Sequence, residues 1–193
     1  MRLIVAITGA SGVIYGKRFL EVAKEKKIEV HLIVSGAAEK VADYELGDVN
    51  WSTLASKLYS PEDLTATLAS GSFKVDAMVI VPASMKTIGA LASGYCDDLV
   101  SRAADVQLKE GRRLIVVPRE TPLHLIHLEN MAKLSRMGVT VLPAMPGFYH
   151  EPKTIEDLVD FIVGKILDQL EIPHELFRRW GTRSPASTPS LDD

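Results

Sequence analysis

Five short apolar runs separated by helix-patterned segments predict an α/β protein with a mainly parallel sheet of five or six strands. The runs 3–7, 30–34, 77–81, 114–117 and 139–142 are apolar without alternation, the pattern of strands buried on both faces. The segments between them repeat apolar residues at helical spacing, and several open on a serine, threonine or aspartate that can cap a helix. A chain of 193 residues, 47% hydrophobic and 24% charged, suits one domain with a single large core. We place that domain at residues 1–180, followed by a mobile tail at 181–193 in which Ser, Thr and Pro are too frequent to build a core.

The first run stops at Thr8 and enters the glycine-rich turn Thr8-Gly-Ala-Ser-Gly-Val-Ile-Tyr-Gly16, after which Phe19, Leu20, Val22 and Ala23 continue a helix to Lys27. Ser35 ends the second run as the N-cap of a helix from Ala37 to Leu46, closed by Gly47. Residues 48–74 are irregular and read as a crossover excursion with a capped turn at Ser60-Pro-Glu-Asp63. The third run ends at Pro82, and a helix follows from Ser84 to about Ser93, with a second from about Asp98 to Lys109. After the fourth run, Thr121-Pro122 has the cap-then-proline order of a helix start, with a stripe at Leu123, Ile126, Met131, Leu134 and Met137. The last helix opens at Thr154 with Asp157 three residues on, a capping box, and carries a core stripe from Ile155 to Leu170.

The formal charge is -3, from 22 basic and 25 acidic residues spread along the chain, so the basic footprint of a nucleic-acid binder is missing. Arg2 and the run behind it mimic a signal peptide, but the run is too short for one, and no stretch approaches the roughly 20 apolar residues of a membrane span. The single cysteine, Cys96, excludes an intramolecular disulfide framework and reads as a small buried hydrophobe in a reducing compartment, the cytoplasm.

In parallel sheets ligands bind beyond the carboxyl ends of the strands, which selects the loops at 8–12, 35–36, 82–87, 118–121 and 143–150. The glycine-rich turn resembles a dinucleotide fingerprint, yet Ser35 stands where a ribose-binding acid belongs, and Pro152 breaks the only Tyr-x-x-x-Lys, Tyr149 to Lys153. A mononucleotide fits better. Ser35, Ser84, Met85, Lys86 and Thr87 offer hydroxyls, a cation and backbone N–H groups to one phosphate, and the small Gly9-Ala10-Ser11 turn admits a flat ring. Arg102, Asp105 and Lys109 share one helix face and read as an ion-pair ladder. Lys165 reads as a snorkelling lysine, Trp180 as a packed anchor, and Arg119 with Glu120 as a loop pair at the ligand end. His124 and His127, three apart on one helix, lack a third ligand nearby, so no metal is expected.

Five ordered motifs together are more specific than any one of them: the turn at 8–16, Pro-Ala-Ser-Met-Lys-Thr at 82–87, Arg-Ala-Ala-Asp-Val-x-Leu-Lys-Glu at 102–110, Val-Pro-Arg-Glu-Thr-Pro-Leu-His at 117–124, and Pro-Gly-Phe-Tyr-His at 146–150. In combination, from residue 3 to about Trp180, they resemble the UbiX-type flavin prenyltransferases. The resemblance implies a flavodoxin-like or Rossmann-like three-layer sandwich, assembled as a homododecamer with sites at subunit junctions. It implies FMN, reduced, as the acceptor of a dimethylallyl group from dimethylallyl monophosphate. Prenylated FMN would then pass to a partner UbiD-type decarboxylase, as in ubiquinone biosynthesis. FMN is expected against Gly9, Ala10, Ser11, Ser35, Ser84, Met85, Lys86, Thr87 and Arg119. Lys109, Arg119, Tyr149 and Lys165 are expected at the prenyl phosphate, with Arg102 as an auxiliary, Trp180 at the prenyl pocket, and Glu120, Ser11 and Glu45 in proton transfer. The alternatives are a flavin-dependent decarboxylase of cysteine-containing substrates and a non-catalytic flavin carrier. The first relies on a catalytic histidine and on an Asn-containing motif in place of Ser84-Met-Lys-Thr87, and neither pattern is found in the sequence.

Overall fold

The structure, a computed structural model, describes residues 1–181, so the tail proposed from 181 onward lies, apart from Gly181, outside the described residues. The contacts within the chain divide it into two compact units, Met1–Met145 and the part beginning at Pro146, which are taken in turn.

The first unit contains a six-stranded sheet of β1 (Arg2–Ile7), β2 (Glu29–Val34), β3 (Lys57–Tyr59), β4 (Ala77–Ala83), β5 (Arg113–Pro118) and β6 (Thr140–Val141). The spatial order is β3-β2-β1-β4-β5-β6, and every neighbouring pair is parallel. The order therefore reverses between β1 and β4, and a crevice opens where connections leave a parallel sheet in opposite directions. Five α-helices belong to this unit: α1 (Val13–Glu25), α2 (Gly36–Glu45), α3 (Met85–Ser93), α4 (Leu99–Lys109) and α5 (Leu125–Arg136).

Both faces of the sheet are covered, which is why its central strands are unbroken apolar runs. Ile4, Ala6, Met78, Ile80, Leu114 and Val116 enter one buried cluster with Ile88 and Leu91 of α3, Leu99, Val100 and Ala103 of α4, and Leu134 of α5. The alternate residues Leu3, Val5 and Ile7 face the other way. Helix α1, which packs against β1, β2 and β4, contributes the fully buried Phe19 and Leu20. It approaches closely at Gly16, where an added Cβ would stand 2.5 Å from the Val81 carbonyl oxygen. The outcome is the expected three-layer α/β sandwich.

Local chemistry sets the helix ends as the sequence predicts at most positions. Ser35 caps α2 by accepting from the Ala38 N–H (3.2 Å), Ser84 caps α3 by accepting from the Thr87 N–H (3.3 Å), and Gly94 ends α3 in the left-handed region. Asp98 and Ser101 form a reciprocal capping box on α4.

Several expectations need correction. The excursion at 48–74 contains β3, a sixth strand whose three residues hydrogen-bond to β2, and Ser60–Asp63 is a turn without helix. The helix after β5 starts at Leu125, not at Pro122: His124 is its N-cap and makes no side-chain cap bond. Of its predicted stripe only Leu134 is buried, while Ile126 is 61% and Met137 49% exposed, because α5 packs mainly against α3 and β6. Cys96 is partly rather than fully buried, with its Sγ near the Ser101 carbonyl (3.7 Å).

The second unit holds α6 (Ile155–Gln169), opened by the predicted capping box of Thr154 and Asp157. The two N–H groups of Lys153 and Thr154 hydrogen-bond to the Asp157 carboxylate and hold its pKa below the usual range. Val159, Ile162, Val163, Ile166, Leu167 and Leu170 are buried as predicted, but Ile155, in the first turn, is 67% exposed. No helix among the described residues is long and apolar enough to cross a membrane.

The Thr8 hydroxyl joins β1 to the end of β4: it donates to the Pro82 carbonyl (2.8 Å) and accepts from the Ser84 N–H (2.8 Å), at a residue 3% exposed. Thr8→Val leaves that N–H without a partner and is expected to cost about 1–3 kcal/mol, several degrees of Tm, in thermal unfolding. Thr8→Ser keeps the hydroxyl and should recover most of the loss.

Candidate functional site

The crevice at the reversal of strand order is a cavity of about 650 Å³, walled by Thr8 and Gly9 after β1, Ser35 to Ala37 after β2, Ser84 to Thr87 after β4, and Glu120 after β5. Pro61, Glu62, Asp97 and Asp98 complete it. The loops close on one another because Gly9 has no side chain: a Cβ there would lie 2.5 Å from the Ala37 Cβ. Two helix N-termini, those of α2 and α3, therefore face one space, each capped by a neutral serine hydroxyl. The Ser84 and Thr87 hydroxyls are 3.0 Å apart, and Lys86 extends from the same turn to Asp97 at 3.7 Å. Converging helix starts, hydroxyls and one lysine suit a single phosphate.

The start of α1 is closed to an outside anion. Glu45, at the end of α2, accepts from the Gly12 N–H (2.9 and 3.0 Å) and from the Val13 N–H (3.0 Å). In a dinucleotide-binding unit the pyrophosphate takes that position. Gly12 serves this geometry with a φ of 96°. The Glu45 carboxylate in its place gives a further and stronger reason than Ser35 for setting the dinucleotide reading aside.

Ser11 adjoins Gly12, and its carbonyl accepts from Arg119 Nε (3.0 Å). The structure thus brings Ser11, Glu45 and Arg119 together around the α1 start. Arg119 also acts on Tyr15, whose hydroxyl is pushed up by burial and held back by that guanidinium. Glu120 borders the cavity, with one carboxylate oxygen accepting from the Thr121 N–H (3.0 Å). Ala10 is buried beneath the same turn.

Arg102 and Lys109 are not part of this cavity. Arg102 donates to the Ala69 carbonyl (3.1 Å) and pairs with Asp105 (2.9 Å). Lys109 pairs with Glu110 at the end of α4, just before β5 begins, so it stands at the amino end of the sheet. The stacked rings of His124 and His127, with centroids 3.5 Å apart, gather no third ligand, and among the described residues no group of three or more His, Cys, Asp or Glu could hold a metal.

In the second unit a hollow of about 390 Å³ is lined by Tyr149, Glu151, Arg178, Arg179, Trp180 and Gly181. The Tyr149 and Trp180 rings meet at right angles, 5.3 Å apart, and Arg178 donates to the Tyr149 carbonyl (3.0 Å). Lys165 is 3.5 Å from Asp168. Asp168 organises the segment leading to Trp180: Arg179 grips it twice (2.7 and 3.0 Å), and His174 adds a third contact (3.1 Å). The sequence reading missed Asp168 and the acidic residues Glu62, Asp97 and Asp98. The i,i+3 spacing of Lys165 and Asp168 was a usable signal, whereas the acidic wall depends on loops brought together by the fold.

A parallel sheet with a one-phosphate cavity at its switch point, and with the dinucleotide position closed from within, defines a mononucleotide-binding α/β protein. Comparison with known proteins makes the class particular. The flavoprotein family model matches residues 1–167. The flavin prenyltransferase UbiX of Methanocaldococcus jannaschii is 52% identical over 185 residues, spanning 94% of this chain and 100% of that protein. A dodecameric FMN-dependent UbiX-like decarboxylase from Escherichia coli O157:H7 superposes with a TM-score of 0.91 at 46% identity, over 93% of this chain and 99% of that one. A UbiX protein solved with FMN and dimethylallyl pyrophosphate gives 0.92 at 43% identity, over 95% and 98%. The chain belongs to the UbiX flavin prenyltransferases of the flavoprotein family.

The contacts around Asp168 generate a pH prediction. The Arg179 guanidinium, and next His174, hold its carboxyl below the usual carboxylate range, so protonating it favours the unfolded chain. Its contribution is complete at neutral pH and disappears as pH falls below about 4. The decline of Tm with acidification should therefore be shallower in Asp168→Asn than in the wild type, from a lower starting value at pH 7.

Proposed function

We propose that this chain transfers a dimethylallyl group from dimethylallyl phosphate to N5 and C6 of reduced FMN, producing prenylated FMN for a UbiD-type decarboxylase. The observation that carries this reading is the cavity at the switch point, with phosphate-accepting groups on α2 and α3 and Glu120 at its edge; Arg119, next to Glu120 in the chain, lies outside its lining and donates to the Ser11 carbonyl. The residues present fit FMN. Ser35, Ser84, Thr87 and Lys86 would hold its phosphate, and Gly9, Ala10 and Ser11 leave space for a ring against the backbone. The whole-length match to a named flavin prenyltransferase supports the chemistry.

The flavin supplies the nucleophilic ring positions when bound. The rest falls to the chain and its copies. Breaking the allylic C–O bond develops negative charge on the leaving phosphate, which Arg119, Tyr149 and Lys165 would stabilise, joined by Lys109 and, more weakly, Arg102. Trp180, 80% exposed in the single chain, offers an aromatic face to allylic positive charge. Glu120 would take the proton released when the second carbon bond forms at C6, with Ser11 and Glu45 as its relay, and the departing phosphate can share that role. Lys86 binds and does not catalyse. A homododecamer, as in the Escherichia coli protein, would bring Arg102 and Lys109 to a neighbouring site. The cytoplasm is the compartment that suits the lone Cys96.

No histidine among the described residues lines the cavity, which leaves the decarboxylase reading without its acid–base group. Incubating the anaerobically reduced FMN complex with dimethylallyl monophosphate should add the mass of one prenyl unit to the extracted flavin. An unchanged flavin mass would leave a decarboxylase or a flavin carrier as the alternatives. In Glu120→Gln the rate of complete prenylation should fall by about 10²–10⁴-fold with FMN affinity preserved, the usual scale for a lost proton-transfer group. An unimpaired rate would remove Glu120 from that role.

A further inference from the structure

Arg119, assigned above to the leaving phosphate, is tied to the turn after β1. Its Nε donates to the Ser11 carbonyl (3.0 Å), which joins the chain leaving β5 to the chain leaving β1. Among the described residues no acceptor takes Nη1 or Nη2, so the far edge of the guanidinium is open to an oxyanion.

One hydrogen bond does not fix a side chain with as much rotamer freedom as arginine, so its stem has to be held by packing. The surface it meets is the bare face of Gly12, which stands in the left-handed region at a φ of 96°. A Cβ added to Gly12 would lie 3.0 Å from two carbons of the Tyr15 ring and 4.0 Å from the Arg119 Cγ. The space that the glycine leaves is thus bordered by both the tyrosine ring and the arginine stem. Tyr15 is firmly rooted there. Its N–H donates to the Gly12 carbonyl (3.0 Å), and Gly16 beside it approaches the Val81 carbonyl of β4 too closely to admit a side chain. The ring is half-buried; burial raises the pKa of its hydroxyl and the Arg119 guanidinium opposes that rise, which places the cation within electrostatic reach of the ring.

We propose that Tyr15 is a positioning residue for the transfer: its ring, held over Gly12 by α1, is the wall that orients Arg119 toward the leaving phosphate. The inference rests on Arg119 serving that phosphate. A tyrosine ring suits the task because it offers a large, rigid contact area at low entropic cost.

The test is a double-mutant cycle on the full chain with anaerobically reduced FMN, reading kcat/KM for dimethylallyl monophosphate from the mass of the extracted flavin. Tyr15→Leu is expected to lower kcat/KM by about tenfold, because a small displacement of a positioned charge is costly. When Arg119 is already Ala, the same change should cost less than about twofold. Tyr15→Phe keeps the ring and should recover most of the loss. Melting curves verify that each variant is folded, and Tyr15→Met takes the place of a leucine variant that is not. Equal losses in the two backgrounds overturn the proposal, since Tyr15 would then serve the turn and not the arginine. A leucine variant as active as the wild type overturns it as well, and so does a phenylalanine variant as impaired as the leucine one. A wild type that adds no prenyl unit overturns instead the prenyl-transfer reading of the site, and the role of Tyr15 falls with it.

Discussion

A threonine hydroxyl at the end of β1 holds the ligand end of the sheet in register. Thr8 donates to Pro82 and accepts from Ser84, so the chain leaving β4 is tied to the chain leaving β1 at the point where the strand order reverses. The tie is needed because Pro82 interrupts the donors of β4 and the β4–β5 register shifts between Ile80 and Ala83, which leaves the Ser84 N–H without a regular ladder partner. A buried N–H must find an acceptor, and the nearest strand provides one through its side chain. Once Ser84 is placed, its own hydroxyl caps α3, and the N-terminus of that helix is aimed into the crevice. The direction of α3 thus follows from one hydroxyl on another strand.

The same region distributes anions among helix starts. Each start carries about half a positive charge and unpaired N–H groups, so each attracts an acid from the chain or from outside. Glu45 and Asp98 satisfy α1 and α4 internally, while Ser35 and Ser84 satisfy only single N–H groups on α2 and α3 and add no charge. Of the helix starts that border the cavity, those of α2 and α3 are thus the two without a carboxylate cap. Glu45 serves the fold: its carboxylate fastens the end of α2 to the start of α1, and the proposed part in proton relay would be exercised from that fixed position.

Much of this was legible in the sequence because it is local. The caps at Ser35, Ser84 and Thr154 act within three residues, and the central strands are continuous apolar runs that no surface element would carry. What was not legible depends on partners far along the chain. Lys57 to Tyr59 has no apolar run, since an edge strand of three residues buries only Tyr59, and it becomes β3 through its pairing with β2. Glu45 gave no hint of its bond to Gly12, 33 residues away. Helix α5 shows the opposite failure: its periodic stripe is real, but Leu125, Ile126 and Leu128 are exposed in the single chain. Periodicity reports that a face is apolar and not what covers it.

The placement of Lys109 constrains how a complete site can be built. The cavity lies beyond the carboxyl ends of the strands, and Lys109 lies before the amino end of β5. A strand of six residues spans about 20 Å at roughly 3.3 Å per residue, farther than a lysine side chain extends. Lys109 therefore cannot serve the cavity of its own chain. If it binds the prenyl phosphate, it does so in the cavity of another copy, and the monomer is then an incomplete catalyst. Self-association becomes part of the chemistry, and weakening it should lower turnover even where every chain remains folded and able to bind FMN.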